Sequence, residues 1–187
     1  DPARRLELLT KIGEVVGGQV GDQRRAFDAF GRGLREVPED ADTIARLEEI
    51  AEARAWFGDL VASTSELATQ HATGDSDLSR RLWIRAAVIH DQRLKAVDEA
   101  VSAYRKVLEQ DPADEEVLDA LEELYVRTAR YRDLQGVLRR KGELTSDPEQ
   151  QEDLLSRIAE IHESVLEEPQ PAIAAYREVL ELNPSSR

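Results

Sequence analysis

The stretch AVSAYRKVLEQDP at residues 100–112 returns almost unchanged as AIAAYREVLELNP at residues 172–184. Five prolines recur at about half of this distance or at twice that half. The spacings between Pro2, Pro38, Pro112, Pro148 and Pro184 are 36, 74, 36 and 36 residues. Gly74 stands where the missing proline is expected. A fixed period of this size is typical of a repeat array, in which each repeat packs only on its neighbours.

Between these markers the apolar residues recur three and four positions apart, which is the helical period. The pattern predicts two helices per repeat and ten in all, near residues 3–17, 23–36, 41–54, 57–71, 77–92, 96–110, 114–128, 131–145, 149–166 and 170–182. They form five antiparallel hairpins, at approximately 1–37, 38–74, 75–111, 112–147 and 148–184. We therefore expect an all-α chain whose residues 1–187 make one solenoid.

The helix boundaries carry local signals. Aspartate before proline suits a helix start, because the carboxylate caps backbone N–H groups and the fixed φ of proline fits the first turn. This dipeptide occurs at Asp111-Pro112 and Asp147-Pro148, with Asn183-Pro184 as a variant. At the skipped proline, Gly74 is predicted to end a helix in the left-handed conformation.

A longer period of about two hairpins overlies the first. The segment LEEI at residues 47–50 returns as LEEL at residues 121–124, an offset of 74 residues. The odd-numbered hairpins resemble one another more closely than they resemble the even-numbered ones. The array therefore alternates two types of hairpin, which indicates duplication of a hairpin pair.

The odd hairpins resemble the tetratricopeptide (TPR) repeat family. Their second helices match the family pattern of alanine, an aromatic and a proline at Ala26/Phe30/Pro38, Ala100/Tyr104/Pro112 and Ala172/Tyr176/Pro184. In the family's first helix, a large apolar residue is followed by another at +3, a small residue at +4 and a bulky one at +7. The corresponding residues here are Leu9/Ile12/Gly13/Val16, Trp83/Ala86/Ala87/His90 and Leu155/Ile158/Ala159/His162. From the small residue to the second-helix alanine there are 13 positions, one more than the family pattern. The resemblance implies a right-handed α-solenoid.

Composition excludes several classes of function. The formal charge is −14, from 39 acidic and 25 basic residues, which disfavours nucleic acid and anionic membranes as partners. There is no cysteine, no signal peptide and no long apolar run that would insert into a membrane. Methionine is also absent, which suggests a piece of a longer protein, and the excess of arginine over lysine hints at a bacterial gene. The cytoplasm is favoured, with the periplasm as the alternative.

No motif predicts catalysis, a metal site or a cofactor. His71, His90 and His162 are scattered, and packed or capping imidazoles account for them better than convergent metal ligands. Asp40 and Asp75 precede helices and are interpreted as caps rather than calcium ligands. Trp83 is expected in the core. Trp56 is the tryptophan more open to a partner, although packing is favoured for it too.

In TPR arrays the first helices line a concave groove, and the resemblance places one here. Projecting the family phase onto this chain gives a mainly acidic set with an apolar middle: Glu7, Glu14, Glu48, Glu52, Arg81, Ile84, Val88, Asp119, Glu122 and Glu160. The lysines and asparagines with which some TPR domains hold a terminal carboxylate are missing from this set. We therefore expect the groove to bind a basic, or mixed basic and apolar, segment.

The function predicted from these observations is a non-catalytic scaffold that binds another protein or a peptide. The alternative is a structural assembly protein whose repeats associate end to end, because helix ten shows apolar residues where a terminal repeat needs a polar outer face. Binding of RNA by helical repeats is disfavoured by the charge. No cofactor is implied.

Overall fold

A computed structural model describes residues 1–182 and places ten α-helices in that range. They are α1 (Pro2–Val15), α2 (Gln23–Glu36), α3 (Ala41–Arg54), α4 (Phe57–His71), α5 (Ser76–Val88), α6 (Val97–Leu108), α7 (Glu115–Arg127), α8 (Tyr131–Leu144), α9 (Pro148–Glu160) and α10 (Pro169–Leu182). No strand occurs among these residues, so the all-α class and the ten helices are confirmed. Asn183-Pro184 lies outside the described residues.

The chain forms two compact units, which we describe separately. Unit 1 comprises residues 1–107 and carries α1 to α6, and unit 2 comprises residues 108–187 and carries α7 to α10. In unit 1, consecutive helices pack on one another from α1 through α5, and in unit 2 from α7 through α10. Each unit is therefore a stack of antiparallel hairpins. That residues 1–187 make one solenoid stays a prediction.

Small residues let the two helices of a hairpin approach closely. A Cβ atom on Gly13 of α1 would lie 2.6 Å from Cζ of Phe30 on α2. Ala87 and Ala159, at the same repeat position, are fully buried. The second-helix alanines Ala26, Ala100 and Ala172 are buried as well. The family pattern thus marks the contact between the helices, as the sequence predicts.

A π-helical turn extends the first helix of each odd hairpin, at Val16–Val20, Ile89–Arg93 and Ile161–Val165. Hairpins two and four have no such turn among the described residues. In a π turn the hydrogen bonds run five residues back instead of four, so the turn accommodates one additional residue. This accounts for the spacing of 13 in the odd hairpins, one residue longer than the family pattern.

Every hairpin has one left-handed residue in the turn between its helices: Gly21, Ala55, Lys95, Ala129 and Glu167. The prediction for Gly74 is therefore wrong. Gly74 lies between hairpins, in a turn where its N–H donates to the carbonyl of His71, and its φ is not positive. The left-handed conformation is used where the chain reverses within a hairpin and not where one hairpin joins the next.

Aspartate caps begin the first helix of every hairpin. Asp1, Asp40, Asp75, Asp114 and Asp147 each accept a hydrogen bond from a backbone N–H of the helix that follows. The caps predicted at Asp40, Asp75 and Asp147 are confirmed. At the fourth hairpin the cap is Asp114 and not Asp111, because Asp111 accepts from Ala113 within the preceding turn.

The prediction for Trp83 needs correction. Trp83 is only partly buried, and its neighbours Leu82, Ala86 and Ile89 form the core instead. The reason is that α5 packs on the preceding helix α4, which shifts its buried sector. Ile12 is half exposed because no described helix covers that side of α1. Trp56 packs edge-on against Phe27, with ring centroids 5.7 Å apart.

The left-handed alanines offer a test of the turn geometry. Ala55→Gly and Ala129→Gly should each raise the free energy of unfolding by about 0.5–1 kcal/mol, because the left-handed conformation is costly for residues that carry a Cβ. Urea denaturation monitored by circular dichroism provides the measurement. Ala45→Gly, at an exposed site inside α3, is the control and should lower stability by about 1 kcal/mol. Destabilisation by all three variants would contradict the assignment.

Candidate partner-binding face

The predicted groove residues lie on the first helices and in the segments that extend them. In unit 1, α1 carries Glu7 and Glu14, α3 carries Glu48 and Glu52, and α5 carries Arg81, Ile84 and Val88. In unit 2, α7 carries Asp119 and Glu122, and α9 carries Glu160. We call these two sets the first-helix faces of units 1 and 2. Ile84 and Val88 are half-buried, and the charged members other than Glu122 are exposed.

Ion pairs connect successive first helices across the face of unit 1. Glu14 of α1 lies 3.6 Å from Arg46 of α3. From α3, Glu48 pairs with Arg85 at 2.9 Å and Glu52 pairs with Arg93 at 3.0 Å. The acidic partner always belongs to the earlier hairpin and the basic partner to the later one. Arg81 follows the same order, since it binds Glu39 in the turn before α3 with both carboxylate oxygens engaged.

In unit 2 the same order leads to a denser cluster around Glu122. Its carboxylate accepts from Lys141 of α8 at 2.5 Å and from Arg157 of α9 at 2.6 Å. Lys141 also pairs with Asp119 at 2.7 Å. Burial raises the pKa of the Glu122 carboxyl, but the two donated hydrogen bonds outweigh that effect and leave the pKa below its usual value. Glu160 forms no ion pair within residues 1–182.

The acidic residues of the face are thus largely neutralised by bases that the sequence analysis missed: Arg46, Arg85, Arg93, Lys141 and Arg157. A signal for two of them was present. Arg85 and Arg157 occupy the same repeat position in hairpins three and five, next to the predicted groove position. Much of the excess acidic charge lies instead at the N-terminal ends of first helices, where carboxylates stabilise the helix dipole.

A crevice of about 670 Å³ opens in unit 1 between α1, α2 and α3. Its floor is apolar, with Ala26 and Phe30 from α2 and Ile50 from α3. Its α1 side is formed by Gly13, Gly17 and Gly18. At the positions of Gly17 and Gly18, hairpin three has Asp91 and Gln92, and hairpin five has Glu163 and Ser164. The two glycines therefore leave space that longer side chains occupy in the other odd hairpins.

Charged groups surround this crevice. Glu14 and Glu49 approach Arg46 at 3.6 and 3.9 Å, so this arginine has ion pairs but no short hydrogen bond to them. Arg54 lies on the α3 side and has no ion pair within the described residues. The arrangement combines an apolar floor with groups of both charges at its edge, which suits a large side chain flanked by polar ones.

The three histidines are partly buried. Nδ1 of His162 lies 2.9 Å from a Glu168 oxygen, with the ring largely buried. His90 is at the equivalent position in hairpin three, and burial lowers the pKa of its imidazole. No group of three or more potential metal ligands exists among residues 1–182. No helix there is long and apolar enough to cross a membrane.

Glu122 provides a test of the charge cluster. Glu122→Gln should lower the free energy of unfolding by about 1–2 kcal/mol at neutral pH, because Lys141 and Arg157 lose their shared carboxylate. Since the pKa of Glu122 is depressed in the folded state, its contribution is fully present above the ordinary carboxyl pKa and is lost as the pH falls from there through the lower folded-state pKa.

The difference in unfolding free energy between wild type and Glu122→Gln should therefore shrink between about pH 6 and about pH 3, as measured by urea denaturation. Glu123→Gln, at the adjacent exposed position, is the control and should change little throughout. A difference that stays constant with pH would show that the carboxylate charge is not what stabilises the cluster.

Comparison with known proteins finds a family match for one part of the chain. Residues 81–114 match the family model described as tetratricopeptide repeat. No curated protein matches the sequence. Among solved structures, the chain is similar to the MamA protein, with 12% identity, a TM-score of 0.47, and coverage of 97% of this chain and 93% of that one.

Two further structures show the same kind of likeness. A tetratricopeptide repeat protein from Parabacteroides merdae is 13% identical, with a TM-score of 0.47 and coverage of 98% of this chain and 68% of that one. BtubC from P. vanneervenii is 17% identical, with a TM-score of 0.44 and coverage of 99% and 83%. The tetratricopeptide signature is thus matched directly at residues 81–114, a part of this chain of helical hairpins.

Proposed function

We propose that this chain is a non-catalytic scaffold that binds a peptide segment of a partner protein along the first-helix face of unit 1. The observation that carries the proposal is the crevice beside Gly17 and Gly18. It gives this face, whose fully exposed members are all charged, a place where a bulky apolar side chain can leave water. Burying such a side chain contributes about 1.5–3 kcal/mol, enough to anchor a short segment.

The charges of the face indicate what surrounds that anchor. Glu48 and Glu52 are exposed but already paired with arginines, so a basic side chain of the partner would exchange with Arg85 or Arg93 rather than meet a free carboxylate. The Glu52–Arg93 pair is exposed on both sides and is worth little, so exchange at Arg93 costs less than exchange at the partly buried Arg85. The proposed partner is therefore a mixed segment in which the apolar residue supplies most of the affinity and basic residues adjust its position.

Filling the crevice tests the anchor. Peptides selected from a random displayed library against the wild-type chain should share one bulky apolar residue. Gly18→Leu should weaken their binding by about tenfold or more, as measured by fluorescence anisotropy. Gly18 lines the crevice, and a Cβ there meets no atom within 4 Å, so the leucine can be accommodated without displacing the fold.

Gly31→Leu is the matched control. Gly31 is a glycine on the second helix of the same hairpin, outside this crevice, and a Cβ there also meets no atom within 4 Å. This variant should bind the selected peptides as the wild type does. Equal binding by wild type, Gly18→Leu and Gly31→Leu would refute the crevice as the anchoring site.

Charge reversal tests the basic component separately. Glu48→Arg combined with Glu52→Arg should weaken capture of the selected peptides and reduce its dependence on salt, because two carboxylates that face the partner become like charges. Glu66→Arg, which changes the second-helix side, is the control. If binding of the selected peptides and its salt dependence are unchanged, the partner segment is not basic. The apolar anchor is tested separately by Gly18→Leu.

A structural assembly role is the second candidate function. It is favoured by two apolar helix faces that no described part of the chain covers. On α1, Leu8, Ile12 and Val15 are 46–50% exposed. On α10, Ile173, Tyr176 and Leu180 are 37–55% exposed. Isolated apolar residues are ordinary on a surface, but rows at helical spacing indicate a contact face.

A further inference from the structure

We propose that the partner segment has an aspartate or glutamate close to its apolar anchor, and that Arg54 binds this carboxylate at the edge of the unit 1 crevice. This inference rests on the peptide-binding function proposed above and names a second feature of the bound segment. The crevice lies between hairpins one and two, and α1, α2 and α3 all contribute to its lining. Its opening is therefore a property of the contact between two hairpins that the structure describes in full.

The guanidinium of Arg54 is unpaired at this edge. Arg54 is the last residue of α3, is exposed, and has no ion pair or side-chain hydrogen bond within residues 1–182. By contrast Arg46, about two helical turns earlier on α3, lies near two carboxylates. Arg85 and Arg93 of the following hairpin each pair with a carboxylate of α3. The N–H donors of Arg54 are thus available to an anionic group that enters the crevice.

Hairpin four shows that the repeat does not need an arginine at this position. Thr128 corresponds to Arg54 there, because each residue directly precedes the left-handed alanine of its turn, Ala129 and Ala55. The hydroxyl of Thr128 donates to the carbonyl of Leu124 at 2.6 Å, so its polar group is satisfied within its own helix. Hairpin two instead has a long, charged side chain that makes no such bond. The arginine is therefore a feature of hairpin two and not of the even hairpins in general.

Hairpin five has a carboxylate where hairpin one has Gly17. This carboxylate belongs to Glu163 and accepts a hydrogen bond from the hydroxyl of Tyr176 at 2.8 Å. In hairpin one Phe30 replaces the tyrosine, has no hydroxyl, and packs its ring against Gly13. Hairpin one thus lacks both the carboxylate and its donor, and the crevice opens at this place. A partner carboxylate would enter where hairpin five provides its own.

The acidic and basic parts of the segment would meet opposite sides of α3. Glu48 and Glu52, near which the basic residues are proposed, face the following hairpin and pair with Arg85 and Arg93. Arg54 lines the crevice, which α3 forms with the preceding hairpin. A segment that crosses α3 therefore places its carboxylate on one side of the helix and its basic residues on the other, and each charge meets its opposite.

A double-mutant cycle tests the contact. The peptides selected against the wild-type chain should have an aspartate or glutamate at a fixed distance from their shared apolar residue. Arg54→Ala should weaken binding of such a peptide by about two- to fivefold, and so should replacement of the peptide's acidic residue by its amide. The two changes together should weaken binding no more than either alone, because both remove the same contact. Fluorescence anisotropy measures the four affinities.

Arg32→Ala is the matched control. Arg32 is exposed on α2, lies outside the crevice, and also has no ion pair within the part of the chain that the structure describes. This variant should bind the acidic and the amide peptide as the wild type does, with circular dichroism confirming the fold. If Arg54 only stabilised the end of α3, its loss would weaken both peptides by the same factor, so the cycle distinguishes that role from a direct contact.

Two results would overturn the Arg54 contact alone. One is a set of selected peptides without an acidic residue near the apolar one, and the other is an equal loss of affinity for the acidic and the amide peptide with Arg54→Ala. In either case, weaker binding by Gly18→Leu would still support the apolar anchor. Binding that Gly18→Leu leaves unchanged would overturn the anchor, and the Arg54 contact would fall with it.

Discussion

The close contact between the first and second helix of each odd hairpin is the constraint on which the rest of this structure depends. The ring of Phe30 leaves no room for a side chain on Gly13, and Ala87 and Ala159 hold the same place in the later odd hairpins. Where backbones approach this closely, the adjoining apolar rows must interdigitate at one register. The way in which these apolar rows fit together fixes the rotation of each first helix about its axis. This rotation determines which residues point away from the contact and form the first-helix faces.

The ion pairs that connect successive hairpins follow from this arrangement. On the first-helix faces the earlier hairpin contributes the carboxylate, as Glu48 and Glu122 do. Between second helices the earlier hairpin contributes the arginine, as Arg24 and Arg139 do. The pairs between second helices are exposed and contribute little alone, whereas Arg85 and Glu122 on the first-helix faces are partly buried. Within each unit, these pairs therefore give successive hairpins a consistent order of charges.

Much of the fold could be predicted from the sequence, because the helical period and the capping aspartates act locally. The starts of α2, α3, α4 and α8 coincide with their predicted positions. The left-handed residues could not be predicted, since Ala55, Lys95, Ala129 and Glu167 adopt a conformation that their side chains disfavour and tertiary packing imposes. The position of the candidate site stays a prediction, and the pairing of its charges could not be predicted from the sequence. Pairing of Glu14, Glu48 and Glu122 depends on arginines and a lysine from other helices, whose approach the sequence does not reveal.

The π turns give the odd hairpins a tolerance to changes in chain length. A residue deleted from the middle of α3 would rotate the remainder of that helix by about 100° and move its buried side chains toward solvent. A residue deleted from Ile89–Arg93 could instead be absorbed if the turn reverts to α-helical hydrogen bonding, with α6 kept in place. The π turn can therefore lose one residue without a change in the positions of the helices on either side. Insertions and deletions that would be disruptive within the even hairpins can be accommodated at these three points of the repeat.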